Sequence, residues 1–209
     1  MKRIPAILSL NTKKPLHIYD LFTDHGKIGE SYSHKYQNSK ISFIDIRKHL
    51  IQDIKNNLSS NELYKFIAVD ANQCTFEDNS LVLMCGVGGN LIISCLQNYL
   101  TQENTNTQEF IICATMHHLE VRRFLQENNF TLKDVKVADE NGHCYEVLLI
   151  SYTKAFKKIE IFNTQEWNLT HPIHNRYLKS KIKSLIDKHT KEPWEDEVLL
   201  KLTQFVNGI

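Results

Sequence analysis

Four apolar runs in the first two-fifths of the chain end on residues able to bind a polar ligand. Leu16-His17-Ile18-Tyr19 leads into Asp20-Leu21 and the turn Phe22-Thr23-Asp24-His25-Gly26. Ile41-Ser42-Phe43-Ile44 ends on Asp45, Phe66-Ile67-Ala68-Val69 ends on Asp70, and Leu81-Val82-Leu83-Met84-Cys85 opens into Gly86-Val87-Gly88-Gly89. If these runs are parallel strands, a ligand binds beyond their carboxyl ends, where all four groups meet. Asp45 follows Asp20 by 25 residues, close to the spacing at which an acid accepts hydrogen bonds from the two hydroxyls of a ribose. Asp70 stands where a carboxylate would recognise an exocyclic adenine amine. Gly86, Gly88 and Gly89 would let the backbone approach a ligand where a Cβ would obstruct it. Each residue alone also suits a bland role, since acids end many strands and glycines make tight strand-to-helix turns. Only the combination points to a nucleoside-like ligand. No lysine follows the glycines as in a phosphate-binding loop, and neither a G-x-S-x-G elbow nor an H-E-x-x-H helix occurs, which sets aside serine hydrolase and zinc peptidase chemistry.

The elements that would position these residues alternate strand and helix, the pattern of a mostly parallel sheet. A helix is expected over about Lys27–Gln37. After the second run Ile46, Leu50, Ile54 and Leu58 recur at helical spacing, and a further helix is expected over about Gly89–Leu100. Phe110-Ile111-Ile112-Cys113 reads as a fifth strand. The helix after it carries Leu119, Val121, Phe124 and Leu125 and ends near Asn128-Asn129, residues that tolerate a left-handed cap. Two extended segments then follow directly, Thr131–Ala138 and His143–Ser151, joined through Asn141-Gly142, a strong hairpin signal. Five strand–helix units closed by an antiparallel hairpin predict an α/β fold, a Rossmann-like sheet of the class I methyltransferase type.

Beyond Ser151 the character changes. Residues Lys154–Lys191 hold nine Lys or Arg against three Asp or Glu. Pro172 suits the first position of a helix running to about His189, with Ile173, Tyr177, Ile182 and Ile186 on its apolar side, and Pro193 that of a second helix through Phe205. The expected organisation is a Rossmann-like domain over 1–152 and a short α-helical C-terminal appendage over 153–209, with a polar loop at Thr101–Gln108. Hydrophobic content of 42% suits a packed core, and the formal charge of +1 leaves any nucleic-acid contact to a local basic face. No apolar run reaches the roughly 18 residues of a membrane helix, and the N-terminus has no signal-peptide pattern. The expectation is a cytoplasmic protein. Its five cysteines form no C-x-x-C pair, so no metal site is expected and the thiols read as reduced packing residues.

Three segments together carry a family likeness. Asp20-Leu21-Phe22-Thr23-Asp24-His25-Gly26, Cys85-Gly86-Val87-Gly88-Gly89-Asn90-Leu91-Ile92 and Gly142-His143-Cys144-Tyr145-Glu146-Val147 resemble the bacterial tRNA (adenine-22-N1)-methyltransferase family. Its corresponding patterns are D-I-G-[ST]-D-H, A-G-M-G-G-x-L-I and G-K-C-Y-E-V, in the same order, and the likeness covers about residues 15–152. It implies methyl transfer from S-adenosyl-L-methionine to N1 of an adenine in tRNA. By position it implies that Asp20, Asp24 and His25 line the cofactor pocket, that Asp45 holds the ribose, that Asp70 faces the adenine, and that Gly86, Gly88 and Gly89 border the methyl donor. No catalytic side chain is singled out, because adenine N1 offers a free lone pair. The basic helix would contact tRNA through Arg176, Lys179, Lys181 and Lys183, or be an ordinary solvated helix. Two departures stand out. Phe22 replaces the family's motif glycine, and Ala114-Thr115-Met116-His117-His118 stands where the family has Q-P-N-x-H. Phe22 either obstructs the cofactor or is accommodated by the turn. The alternative function is a non-catalytic methyltransferase-like tRNA-binding protein. Glu120, Arg122 and Arg123 read as a solvated helix face, a histidine opening that helix reads as a surface residue, and Tyr145-Glu146 reads as structural.

Overall fold

The computed structural model describes residues 1–102, 107–152 and 159–208. Part of the polar loop expected at Thr101–Gln108, the Lys154–Lys158 start of the basic segment and the point just after residue 152 where the appendage was expected to begin lie outside the described residues.

Helix α1 (Arg3–Leu8) precedes strand β1 (His17–Leu21). Then come α2 (Lys27–Lys35), β2 (Lys40–Asp45), α3 (Lys48–Asn57), β3 (Tyr64–Ala68), β4 (Ser80–Cys85), α4 (Gly89–Thr101), β5 (Glu109–Cys113), α5 (His118–Glu127) and the hairpin β6 (Thr131–Glu140) and β7 (His143–Ser151). Helices α6 (Pro172–Ile186) and α7 (Pro193–Asn207) follow. The sheet order is β3-β2-β1-β4-β5-β7-β6. The first five strands are parallel, and β7 is antiparallel to both β5 and β6. This is the Rossmann-like sheet with a terminal hairpin that the sequence predicts. The strand order reverses between β1 and β4, so the crevice at their carboxyl ends is the place for a ligand.

Strands β1, β4 and β5 are buried along their whole length, as expected of apolar runs covered by helices on both faces. One face packs α1, α2 and α3 around Ile7, Tyr32, Phe43, Ile54 and Leu83. The other packs α4 and α5 around Leu21, Met84, Ile92, Phe110 and Leu125. The hairpin turns at Asn141 and Gly142, with φ of 53° and 79°, both in the left-handed region an Asn-Gly pair favours. Asn129 closes α5 at φ 58°.

Several expectations need correction. Helix α1, for which the sequence carries no periodic signal, buries Ala6 and Ile7. Strand β3 starts and ends two residues before the expected Phe66–Asp70, because its pairing with Ile41–Asp45 begins at Tyr64. Asp70 instead heads a 3-10 turn, its Oδ1 accepting from the Asn72 amide at 2.9 Å. On α3 the buried pair is Ile51 and Ile54, with Ile46 66% exposed. On α6 the buried residues are Tyr177, Leu178 and Leu185, and Ile186 faces solvent.

Candidate functional site

The turn after β1 is tied down from within. Asp20 is buried, and its Oδ2 accepts from Thr23 Oγ1 at 2.8 Å and from the Gly29 amide at 3.0 Å. One carboxylate oxygen thus fastens the turn and the first turn of α2 together. Desolvation outweighs these two bonds and raises the Asp20 carboxyl to about 7. Phe22 and Asp24 keep left-handed backbone, at φ 58° and 47°, which costs a bulky residue about 1–2 kcal/mol. The Phe22 ring is half-buried against the α4-side core and also forms a wall of the cleft above the turn. Of the two readings of this residue, the packing favours accommodation over obstruction.

Asp45 ends β2 almost fully buried, and its carboxylate is engaged. Arg47 Nε and Nη2 donate to Oδ1 and Oδ2, both at 2.8 Å, and the Arg47 amide donates to Oδ1 at 2.9 Å. These bonds hold the Asp45 carboxyl below its ordinary value. Arg47 Nη2 also lies 3.6 Å from Asp24 Oδ1 and Asp24 Oδ2 lies 3.3 Å from His25 Nε2, so one guanidinium links the ends of β1 and β2. The spacing that singles out Asp45 says nothing of Arg47. Only the alternation of acid and base at 45 and 47 could have suggested the pair.

Gly86 leaves β4 at φ 85°, and a Cβ built there would meet nothing within 4 Å. Its side faces open space in the cleft. Gly89 is different: a Cβ would lie 2.7 Å from Val121 Cγ2 and 2.8 Å from the His117 carbonyl oxygen. That glycine permits close packing of α4 on α5. Gly88 caps α4 against Met116, at ordinary contact distance. In the loop after β5, His117 has left-handed backbone at φ 59° and is exposed, whereas His118 is buried against Tyr177. Burial lowers the His118 imidazole to about 4. The expectation of a surface histidine therefore holds for His117 and fails for His118.

These parts converge on one cleft of about 650 Å³. Asp24, His25 and Arg47 close one end, Asp20, Phe22 and Gly86 lie along the middle, and Arg3, Ile7, Cys113 and Glu140 close the other. Asp45 lies beneath Arg47 at the first end. Asp70, Gly88 and Gly89 are not among the residues that line it.

A fold of this strand order with a ligand crevice at the β1–β4 reversal has known counterparts. The family model described as a methyltransferase domain matches residues 1–148. The chain belongs to this family. Among relatives of this methyltransferase, a Mycoplasma pneumoniae protein named "Putative tRNA methyltransferase" is 28% identical over 160 residues, 74% of this chain and 72% of that protein. The solved structure of M. capricolum TrmK in complex with S-adenosyl-homocysteine matches with a TM-score of 0.70 at 19% identity, over 98% of this chain and 93% of that one. The B. subtilis m1A22 tRNA methyltransferase TrmK matches with a TM-score of 0.68 at 14% identity, over 99% and 97%. At these identities the structural likeness is one of fold.

The tail of the methyltransferase is joined to its sheet by a buried charge network. Arg122 on α5 is 1% exposed. Its Nε bonds both oxygens of Glu146 on β7 at 3.0 and 3.1 Å, its Nη2 meets Glu166 at 2.6 Å and its Nη1 donates to the Glu160 carbonyl at 2.8 Å. The reading of Arg122 as a solvated residue is thus wrong. His118, Val121, Arg122 and Leu125 recur at helical spacing and form the buried face of α5, a signal that a charged residue obscured. Glu146 is structural, as expected. The four basic residues of α6 do not share one face. Arg176 pairs with Asp139, Lys181 sits half-buried over the Tyr177 ring, and Lys179 and Lys183 are exposed one turn apart. Lys181 lines a second cleft of about 670 Å³ together with Met116, His117 and Lys188. Among the described residues no cluster of His, Cys, Asp and Glu could hold a metal ion, and no helix is long and apolar enough to cross a membrane.

Proposed function

We propose that this chain is an S-adenosyl-L-methionine-dependent methyltransferase acting in the cytoplasm on N1 of an adenine in tRNA. The carrying observation is the cleft at the carboxyl ends of β1 and β4, with Asp20 buried below it, Asp45 and Arg47 at one end and Gly86 open beside it. The tRNA methyltransferase names of the relatives support the substrate class. We infer the domain division 1–152 and 153–209, supported by a small core around Trp167, Tyr177, Leu185 and Leu202 that is built mostly from the tail, with Val137 of β6 at its border.

The donor set fits the cofactor. Asp24, and Asp20 in its ionised form, offer negative charge to a ligand bearing a sulfonium and an ammonium, and Gly86 leaves room where a Cβ would intrude. Asp45 would hold a ribose diol once Arg47 yields part of its carboxylate. S-adenosylmethionine, when bound, supplies an electrophilic methyl group. The chain's own task is to hold the acceptor ring so that the N1 lone pair lies in line with that carbon; positioning then accounts for most of the acceleration. No side chain need remove a proton first. The acceptor base must leave its stack to enter the cleft. Exposed Lys179 and Lys183, with Lys181 at the second cleft, would meet tRNA phosphates.

A non-catalytic tRNA-binding relative is the second reading, favoured by Arg47 covering Asp45 and by the absence of side-chain amides at Ala114-Thr115-Met116. Calorimetric titration with S-adenosylmethionine separates the two. A saturable one-to-one isotherm is expected for the enzyme, and no heat of binding would leave the second reading standing.

A further inference from the structure

The far end of the cleft lies away from Asp20, Asp24 and Asp45. It is built by α1 and the tip of the β6–β7 hairpin, with Cys85 and Cys113 at the ends of β4 and β5 beneath. Three contacts lock the two pieces together. Arg3 Nε donates to Glu140 Oε2 at 2.5 Å, the Arg3 guanidinium stacks 4.7 Å over the Tyr145 ring, and the Asp139 amide donates to the Met1 carbonyl at 2.8 Å. This fixes the Glu140 side chain, which is only 22% exposed. Among the described residues its Oε1 accepts no hydrogen bond. Ile4 and Ile7 stand beside it as an apolar wall. A fixed carboxylate with a spare oxygen, next to an aliphatic wall, suits a flat ring that carries an amine.

We propose that this end receives the acceptor base and that Glu140 is a specificity-determining residue, its Oε1 accepting from the exocyclic amine of adenine. The proposal rests on the reading of adenine as acceptor. On adenine the amine lies beside N1, so a carboxylate there orients the ring without competing for the N1 lone pair. Guanine presents an oxygen at the same position and would be repelled. A site that hydrogen-bonds an N–H group rejects the analogue lacking it, because the acceptor, once covered by the ligand, is left unpaired. Arg3 and α1 are positioning elements that hold the carboxylate in place.

The test follows the methyl signals of Ile4 and Ile7 by NMR, with isoleucine methyl-labelled protein and saturating S-adenosylhomocysteine, during titration with adenosine monophosphate and with purine riboside monophosphate, which lacks the amine. Adenosine monophosphate should shift both methyl signals and bind about tenfold more tightly than its analogue, the effect of one hydrogen bond to a charged group. Glu140→Ala should make the two ligands equal. Arg3→Met also breaks the ion pair but keeps the carboxylate, and it should retain a preference. Equal affinities in the native protein, shifts that spare Ile4 and Ile7, or a preference surviving Glu140→Ala would each overturn the proposal. Calorimetry with S-adenosylhomocysteine alone reports on the methyltransferase reading independently, since the nucleotide titration can be read whether or not that ligand binds.

Discussion

Replacing Arg47 with alanine tests how the cofactor end of the cleft is held in waiting. The guanidinium makes two side-chain hydrogen bonds to Asp45, each at 2.8 Å. Buried and fully ordered, two such charge-assisted bonds would contribute several kcal/mol. Arg47 itself is half exposed, so solvent screens the pair and its net worth falls to about 1 kcal/mol. A ribose that takes over the Asp45 oxygens must displace part of this contact. Arg47→Ala should therefore tighten S-adenosylmethionine binding by about fivefold, the factor that 1 kcal/mol sets. The same change leaves a buried carboxylate without its partner, so the free protein should lose about 1–3 kcal/mol of stability. Calorimetry measures the first effect, and urea unfolding with and without ligand measures the second. Unchanged or weaker binding would refute the reasoning and make Arg47 a ligand contact or a bystander.

Further outcomes follow from other parts of the structure. Asp20 has a raised carboxyl, so its protonated form favours the folded state: that contribution is complete below about pH 4, the ordinary Asp value, and is lost as pH rises through about 7. Asp20→Asn should flatten the pH dependence of unfolding in that window, while in the native protein affinity for the cationic cofactor should rise as pH passes through 7; a pH-independent dissociation constant would count against Asp20 as its counter-charge. Phe22→Gly should leave cofactor affinity equal or lower and cost about 1 kcal/mol of stability, since relief of backbone strain is offset by glycine's entropy and a lost apolar contact; a large gain in affinity would restore obstruction. Arg122→Ala strands Glu146 and Glu166 and should cost about 3–5 kcal/mol, seen as a lower urea midpoint. Neutralising Lys179 and Lys183 together should reduce the slope of log affinity for tRNA against log salt by about 2, and an unchanged slope would leave α6 structural.

Periodicity and turn chemistry made most of the fold legible. Buried parallel strands read as continuous apolar runs, and Asn141-Gly142 announced the hairpin that distinguishes this sheet from an ordinary dinucleotide fold. What stayed hidden depends on contacts between distant residues. The six residues of α1 are too few for a periodic signal, and their burial is set by a hairpin more than a hundred residues later. Arg122 looked solvated because nothing local reveals that Glu146, Glu160 and Glu166 converge on it. The site was legible as a set of strand ends, and the structure brings Asp20, Asp24, His25 and Gly86 into one cleft. It could not be read that Asp45 is held by Arg47, that one Asp70 oxygen caps a turn, or that Gly89 permits close packing of α4 on α5.

Nucleoside mass spectrometry tests methyl transfer to adenine N1 most directly. Unmodified tRNA transcripts would be incubated with the full chain and S-adenosylmethionine carrying a deuterated methyl group, then digested to nucleosides. Labelled 1-methyladenosine is expected, abolished when the acceptor adenosine is replaced by guanosine. Label on another nucleoside, or none despite saturable cofactor binding, would contradict the proposed activity.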